Sequence, residues 1–181
     1  MTDSTGSPAR RILLDAFGRI DDLVRSATDG LTEKIAVFRP DPEANSIGWL
    51  IWHTSRIEDS HIAEAAGAEQ VWVSQGWVDD FSLPFAWDAT GYGQNSGQVG
   101  AVQVPPELLA RYYAAVSEAT ARYLQQLDDA ELGRVVDVNR DPPVTVAVRL
   151  VSVLSDCLQH IGQAAYLRGL IDRLPDVRGI S

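Results

Sequence analysis

The sequence predicts an all-α fold: a four-helix bundle with crossover connections and a long loop between its second and third helices. Three observations predict it. Apolar residues recur at spacings of three and four in four long segments, start and stop residues bracket those segments, and no strand-like run exceeds a few residues.

The first helix is expected from about Ala9 to Ala27, with Ile12, Leu13, Phe17, Ile20, Leu23 and Val24 on one face and Gly30 as the stop. The second is expected from about Ser46 to Ala66, capped by Asn45 or Ser46 and closed by Gly67. The third enters through Pro105-Pro106-Glu107 and runs to about Leu127. Proline suits a first turn because the N–H it lacks would have no partner there. The fourth begins near Val144, after Asp141-Pro142-Pro143, and runs to about Arg173, before Pro175. Ala68 to Val104, rich in Trp, Gly and Asp, connects the second helix to the third. A connector of that length in a compact domain is usually functional, and it lets consecutive helices avoid being neighbours.

Composition narrows the function classes. The 181 residues suit one domain, 1–181, with 45% apolar content for its core and a frayed start over Met1 to Pro8. That start lacks the basic and apolar regions of a signal peptide, and no apolar run approaches the roughly 20 residues that cross a bilayer. No membrane partner is expected. The net charge of −10 is scattered and no basic stripe is present, which argues against nucleic acid as a partner. Cys157, the only cysteine, forbids an internal disulfide and fits a reducing, cytoplasmic setting.

The fourth helix carries the chemistry. Thr145, Arg149, Ser152, Asp156, Gln159, His160 and Gln163 fall on one stripe, flanked by Val146, Leu150, Val153, Leu154, Ile161, Ala164 and Leu167. A solvated face would carry Glu and Arg; this one offers a carboxylate and an imidazole at i, i+4, so it reads as a buried polar site. That spacing sets both side chains over one point, as in helical metal sites. A third ligand has two candidates, since His53 and His61 both lie on the second helix. They stand roughly 12 Å apart along its axis, so one ion cannot hold both. The helical wheel leans towards His61, mid-stripe with Leu50, Thr54 and Ile57, and leaves the choice open.

The segments Gly48-Trp49-Leu50-Ile51-Trp52-His53 and Asp156-Cys157-Leu158-Gln159-His160-Ile161-Gly162-Gln163 resemble the two signature regions of the DinB-like superfamily. They look closest to its mycothiol-dependent maleylpyruvate isomerase and mycothiol S-transferase branch. The resemblance spans nearly the whole chain, including Trp87-Asp88-Ala89-Thr90-Gly91-Tyr92-Gly93. It implies that His53, Asp156 and His160 hold one divalent metal, with His61 outside the ligand set as a supporting or core residue. The middle position is acidic in this branch; here it is Asp, one methylene shorter than Glu, so the helices must approach closely or a water must bridge. Three protein ligands leave coordination positions open, the mark of a catalytic site. The donor set suits Zn²⁺, with Ni²⁺, Mn²⁺ and Fe²⁺ as alternatives. The resemblance further implies a thiol route, in which a low-molecular-weight thiol such as mycothiol attacks an electrophilic small molecule. An arginine-rich composition agrees with the high-GC bacteria that make mycothiol.

The expected function is therefore a metal-dependent thiol S-transferase or isomerase. The competing reading is a non-catalytic metal- or small-ligand-binding bundle of stress-response type. Hydrolysis lacks a clear general base beyond Glu58 or Asp59, which read as solvated or paired near Arg56. Arg149, Gln163, Trp87 and Tyr92 are candidates for substrate contact, although Arg149 reads better as a neutraliser of Asp156. Trp72, Trp77, Trp87 and Tyr92 could equally wall a substrate pocket or pin the connector to the bundle. Cys157 points about 100° away from Asp156 and reads as a packing residue. Relatives of this fold often pair, so a homodimer is also expected.

Overall fold

Four long helices form where the apolar spacing predicts them: α1 (Pro8–Thr28), α3 (Ile47–Ala66), α7 (Pro106–Gln126) and α9 (Val146–Ile171). The computed structural model describes residues 7–174. The residues before Ser7 that were expected to fray, and the stop at Pro175, lie outside them. Ser7 and Pro8 belong to the helix start: the Ser7 side chain accepts the Arg10 N–H at 3.3 Å, and Pro8 occupies the first turn. Ser46 caps α3 by accepting the Trp49 N–H at 3.2 Å, and Gly67 ends it at a φ of +62° that favours glycine.

Short helices occupy the connectors: α2 (Glu33–Ala36), α4 (Val71–Ser74), α5 (Trp77–Phe81), α6 (Ser96–Gly100) and α8 (Asp129–Gly133). A two-stranded antiparallel hairpin, β1 (Val135–Asp137) with β2 (Val144–Thr145), precedes α9. It takes two residues that the periodicity assigned to the fourth helix. Thr145 then caps α9, its hydroxyl accepting the Val148 N–H at 3.3 Å.

Each long helix packs against two others: α1 on α7 and α9, α3 on α7 and α9. The sequential neighbours α1 and α3 therefore sit diagonally, as do α7 and α9, which is the crossover topology expected from the long connections. Side-chain pairs give the directions. Glu58 and Ala65 of α3 meet Thr120 and Tyr123 of α7, so these two helices run parallel. Arg149 and Asp156 of α9 meet Glu64 and His53 of α3, so that pair runs antiparallel. Parallel neighbours explain the connector. The chain must return along the bundle, roughly 30 Å for a 20-residue helix, before α7 can begin.

Helix α3 is buried on every side: each residue from Ile47 to Asp59 is shielded from solvent. Of the two expectations for Glu58 and Asp59, solvation is thus corrected, while pairing near Arg56 holds for Asp59. α7 and the connector cover the face that the helical wheel leaves outside. Both carboxylates are satisfied internally. Asp59 accepts the Val71 and Trp72 backbone N–H groups at 2.8 and 2.7 Å and the Tyr112 hydroxyl at 2.8 Å, with Arg56 at 3.6 Å. Arg56 in turn donates to the Ala89 carbonyl and the Gln70 side chain and stacks over Trp72. Trp72, Phe81 and Trp77 pack on Tyr112, so the first half of the connector is pinned by aromatic contact.

Glu58 lies where all four long helices converge. Thr120 and Tyr113 of α7 donate to it at 2.7 and 3.3 Å, with Asp21 of α1, Asp59 and Cys157 of α9 nearby. Burial pushes its carboxyl up to about 7, and the Asp21 charge works in the same direction. A folded-state value above the ordinary 4.5 means that the native chain binds the extra proton. Its contribution, about 3 kcal/mol, is complete below the unfolded value and is lost as pH rises to about 7. Glu58→Gln, a neutral copy of the protonated acid, is expected to match the parent near pH 4.5 and to exceed its thermal stability at pH 8. Parallel melting curves for the two proteins across that range would refute the assignment.

Candidate functional site

The antiparallel contact of α3 with α9 brings three sequence-predicted residues together. Among the described residues, His53, Asp156 and His160 are the only group of three His, Cys, Asp or Glu side chains whose donor atoms lie within 4.8 Å of one another. Asp156 stands between the imidazoles: Oδ2 is 3.6 Å from His53 Nε2, and Oδ1 is 3.7 Å from His160 Nε2. Donors about 2.0 to 2.1 Å from a tetrahedral ion stand about 3.3 Å apart, so the set, spread over as much as 4.8 Å, would have to draw together to hold one. The short Asp side chain reaches because the helices approach closely. Cys157, one step round α9 and fully buried, lies against the Thr54 carbonyl of α3 at 3.8 Å. Burial pushes its thiol well up, so it packs and does not react.

The donor chemistry fits a divalent cation. Asp156 Oδ2 is shielded from water and accepts no hydrogen bond, the condition of a carboxylate oxygen built to meet positive charge. Burial lowers the His53 pKa, with the nearby His160 acting in the same direction and the Thr90 carbonyl opposing, so the ring is neutral near pH 7 and its Nε2 can donate a lone pair. Its Nδ1–H donates to the Thr90 carbonyl at 2.5 Å, which sets the tautomer that leaves Nε2 facing Asp156. His160 has the same arrangement in weaker form, with Gln163 Oε1 3.5 Å from its Nδ1.

The connector holds His53 from behind. Trp49 stacks on the imidazole at 4.7 Å and 12°, and its own N–H donates to Gln94 at 2.7 Å. His160 approaches His53 edge-on at 4.6 Å. Gly91 has a φ of +99°, and a Cβ there would stand 2.6 Å from His53 Nδ1. Only glycine lets the Thr90 carbonyl come this near. Sequence reasoning assigned no role to Thr90, Gly91 or Trp49. A backbone acceptor leaves no mark in residue type, and the glycine was visible only as part of a family-like segment.

The other candidates are distributed over the connector, α3 and α9. Trp87 and Tyr92 are 60% and 92% exposed, and the Trp87 carbonyl accepts from Trp72. Gln163 lies beside His160, while Ser152 and Gln159 face solvent, so the stripe is a half-buried rim rather than the buried site expected. Arg149 does not neutralise Asp156. Its ion pair is with Glu64 at 3.3 Å, and His61 Nδ1 lies 3.5 Å from the same Glu64 oxygen.

Comparison with known proteins agrees with this geometry. The bundle and its His-Asp-His cluster define a DinB-like protein. More narrowly, the chain belongs to the Mycothiol-S-transferase family, whose model matches residues 13–173. A solved structure described as a conserved protein of a locus from Enterococcus faecalis is similar at 32% identity, with a TM-score of 0.81. The match covers 87% of this chain and 94% of that one. No curated protein matches the chain. Among the described residues, no helix is long and apolar enough to cross a membrane.

Gly91→Ala is expected to keep the bundle folded while displacing the His53 ring or the Thr90 carbonyl. Losing such a support typically costs about 10- to 100-fold in metal affinity. Competition against a chromogenic chelator measures it, and an unchanged affinity would show that the loop does not orient His53.

Proposed function

We propose that the chain is a cytoplasmic, metal-dependent thiol S-transferase or isomerase that uses a low-molecular-weight thiol such as mycothiol on an electrophilic small molecule. The observation that carries this reading is Asp156 between two imidazoles, its unsatisfied, solvent-shielded Oδ2 towards His53 Nε2 and its Oδ1 towards His160 Nε2, in a member of the Mycothiol-S-transferase family. His53, Asp156 and His160 hold the ion, with zinc the best match to two nitrogens and one carboxylate and Ni²⁺, Mn²⁺ or Fe²⁺ as alternatives. When bound, such an ion supplies the Lewis acidity that draws the pKa of a thiol down towards neutrality.

The chain's own residues do the rest. His53, neutral and fixed by Thr90, presents Nε2 without first losing a proton. Asp156 balances one of the two positive charges, which leaves the site cationic and attractive to a thiolate. Asp156 and His160 are half-buried, so the cluster keeps a side that a small molecule can approach. In transfer, the thiol gives up its proton, a sulfur–carbon bond forms, and the leaving group departs with its bonding electrons. In isomerisation, the sulfur adds to a double bond and leaves after rotation. A cytoplasmic setting suits both, because low-molecular-weight thiols stay reduced there. The outer face of α9 exposes Val148, Val151, Leu158 and Tyr166, a surface on which a second copy could seat as the expected homodimer.

His53→Ala and His160→Ala are each expected to abolish stoichiometric metal binding, while His61→Ala retains it; equal loss in all three would mean a different ligand set. Asp156→Asn, nearly isosteric but uncharged, should weaken metal binding sharply. Transfer of mycothiol to an electrophilic aryl halide should fall in step with metal content and stop with a chelator. Activity that survives complete removal of the metal would sink the proposal.

A further inference from the structure

Beyond the triad, the contact of α3 with α9 continues to a second polar group. Arg149 lies seven residues before Asp156, two turns or roughly 10 Å along α9. Its side chain is only 17% exposed, and its Nε is shielded from solvent with no acceptor. Its only ionic partner among the described residues is Glu64, which meets one terminal nitrogen at 3.3 Å. Glu64 is a loose partner: it is 46% exposed, and the same oxygen also faces His61. A guanidinium presents a planar fork of five donors, and a carboxylate fills it best in a bidentate pair. Here the fork is mostly withdrawn from water and mostly unfilled.

We propose that Arg149 is the receptor for a carboxylate on a molecule handled at the triad, with Glu64 as the internal carboxylate that it displaces. This inference rests on the reading of His53, Asp156 and His160 as the reacting centre. The spacing defines the ligand class: a small acid whose carboxylate lies on the order of 10 Å from the atom that reacts. Either the thiol or the electrophile can carry that anion. Arg149 acts in specificity, because a neutral ligand of the same length leaves the guanidinium donors unpaired. Lysine would not serve equally, since a point charge cannot form the bidentate pair.

The test uses the full chain loaded with cobalt and titrated with mercaptooctanoate or its neutral counterpart mercaptooctanol, followed by the sulfur-to-cobalt absorption band. The acid is expected to bind the parent about tenfold more tightly than the alcohol. Arg149→Gln should erase that preference while leaving cobalt content and the affinity for the alcohol unchanged. Glu64→Gln, which keeps Arg149 and removes its competitor, should widen the preference. A preference of the same size in the parent and Arg149→Gln would overturn the proposal. Octanoate titrated calorimetrically beside cobalt-bound mercaptoethanol separates an acid carried by the second substrate from one carried by the thiol. If neither thiol produces the sulfur band, or the protein takes up no cobalt, the thiol-transfer reading fails. Calorimetry with octanoate alone then decides the matter: binding lost in Arg149→Gln supports the carboxylate site, and binding independent of Arg149 overturns it.

Discussion

Everything in this bundle depends on one helix being covered on all sides. From Ile47 to Asp59 every residue of α3 is buried, yet the segment carries His53, Arg56, Glu58 and Asp59. A buried polar group without a partner costs more than most single contacts return, so each of the four dictates part of its surroundings. Asp59 draws in the first amides of α4, Arg56 takes the Ala89 carbonyl, Glu58 takes two hydroxyls of α7, and His53 takes the Thr90 carbonyl. The connector is thereby tied to α3 at several points. It forms the outer wall of the helix that bears the first donor of the candidate metal site.

That arrangement separates two jobs that carboxylates do here. Glu58, in the centre, meets only neutral hydroxyl donors and nearby negative charge, so burial favours its protonated form. Asp156, at the groove between α3 and α9, faces two imidazoles, and one of its oxygens has no donor at all. The first carboxyl is accommodated by keeping its proton; the second is placed to meet a cation. Cys157 lies between the two environments, its small, buried side chain against the Thr54 carbonyl of α3.

The contact of α3 with α9 also has two ends of different character. Near His53 and His160 the neighbours are aromatic and imidazole rings. Two turns away, Arg149, Glu64 and His61 form a polar group in which burial and the adjacent guanidinium lower the His61 pKa, with Glu64 opposing. The first end is the one that the proposed function uses. The second end is described by the unpaired donors of Arg149 itself.

The sequence by itself determined the four long helices, the caps of α3 at Ser46 and Gly67, and the pairing of Asp156 with His160, because these follow from periodicity and neighbours within one helix. The triad's residues were legible, but the choice of His53 over His61 needed a resemblance, since the helical wheel by itself leans towards His61. Only tertiary structure decided that Glu58 and Asp59 are buried, because burial of a polar face depends on what another segment lays over it. It also decided that Arg149 pairs with Glu64 and not Asp156, since direction and register between helices are not encoded in either helix alone. The Thr90 carbonyl and the close approach of Gly91 are of the same kind. A backbone atom has no letter of its own, and its role appears only when a distant part of the chain brings a side chain against it.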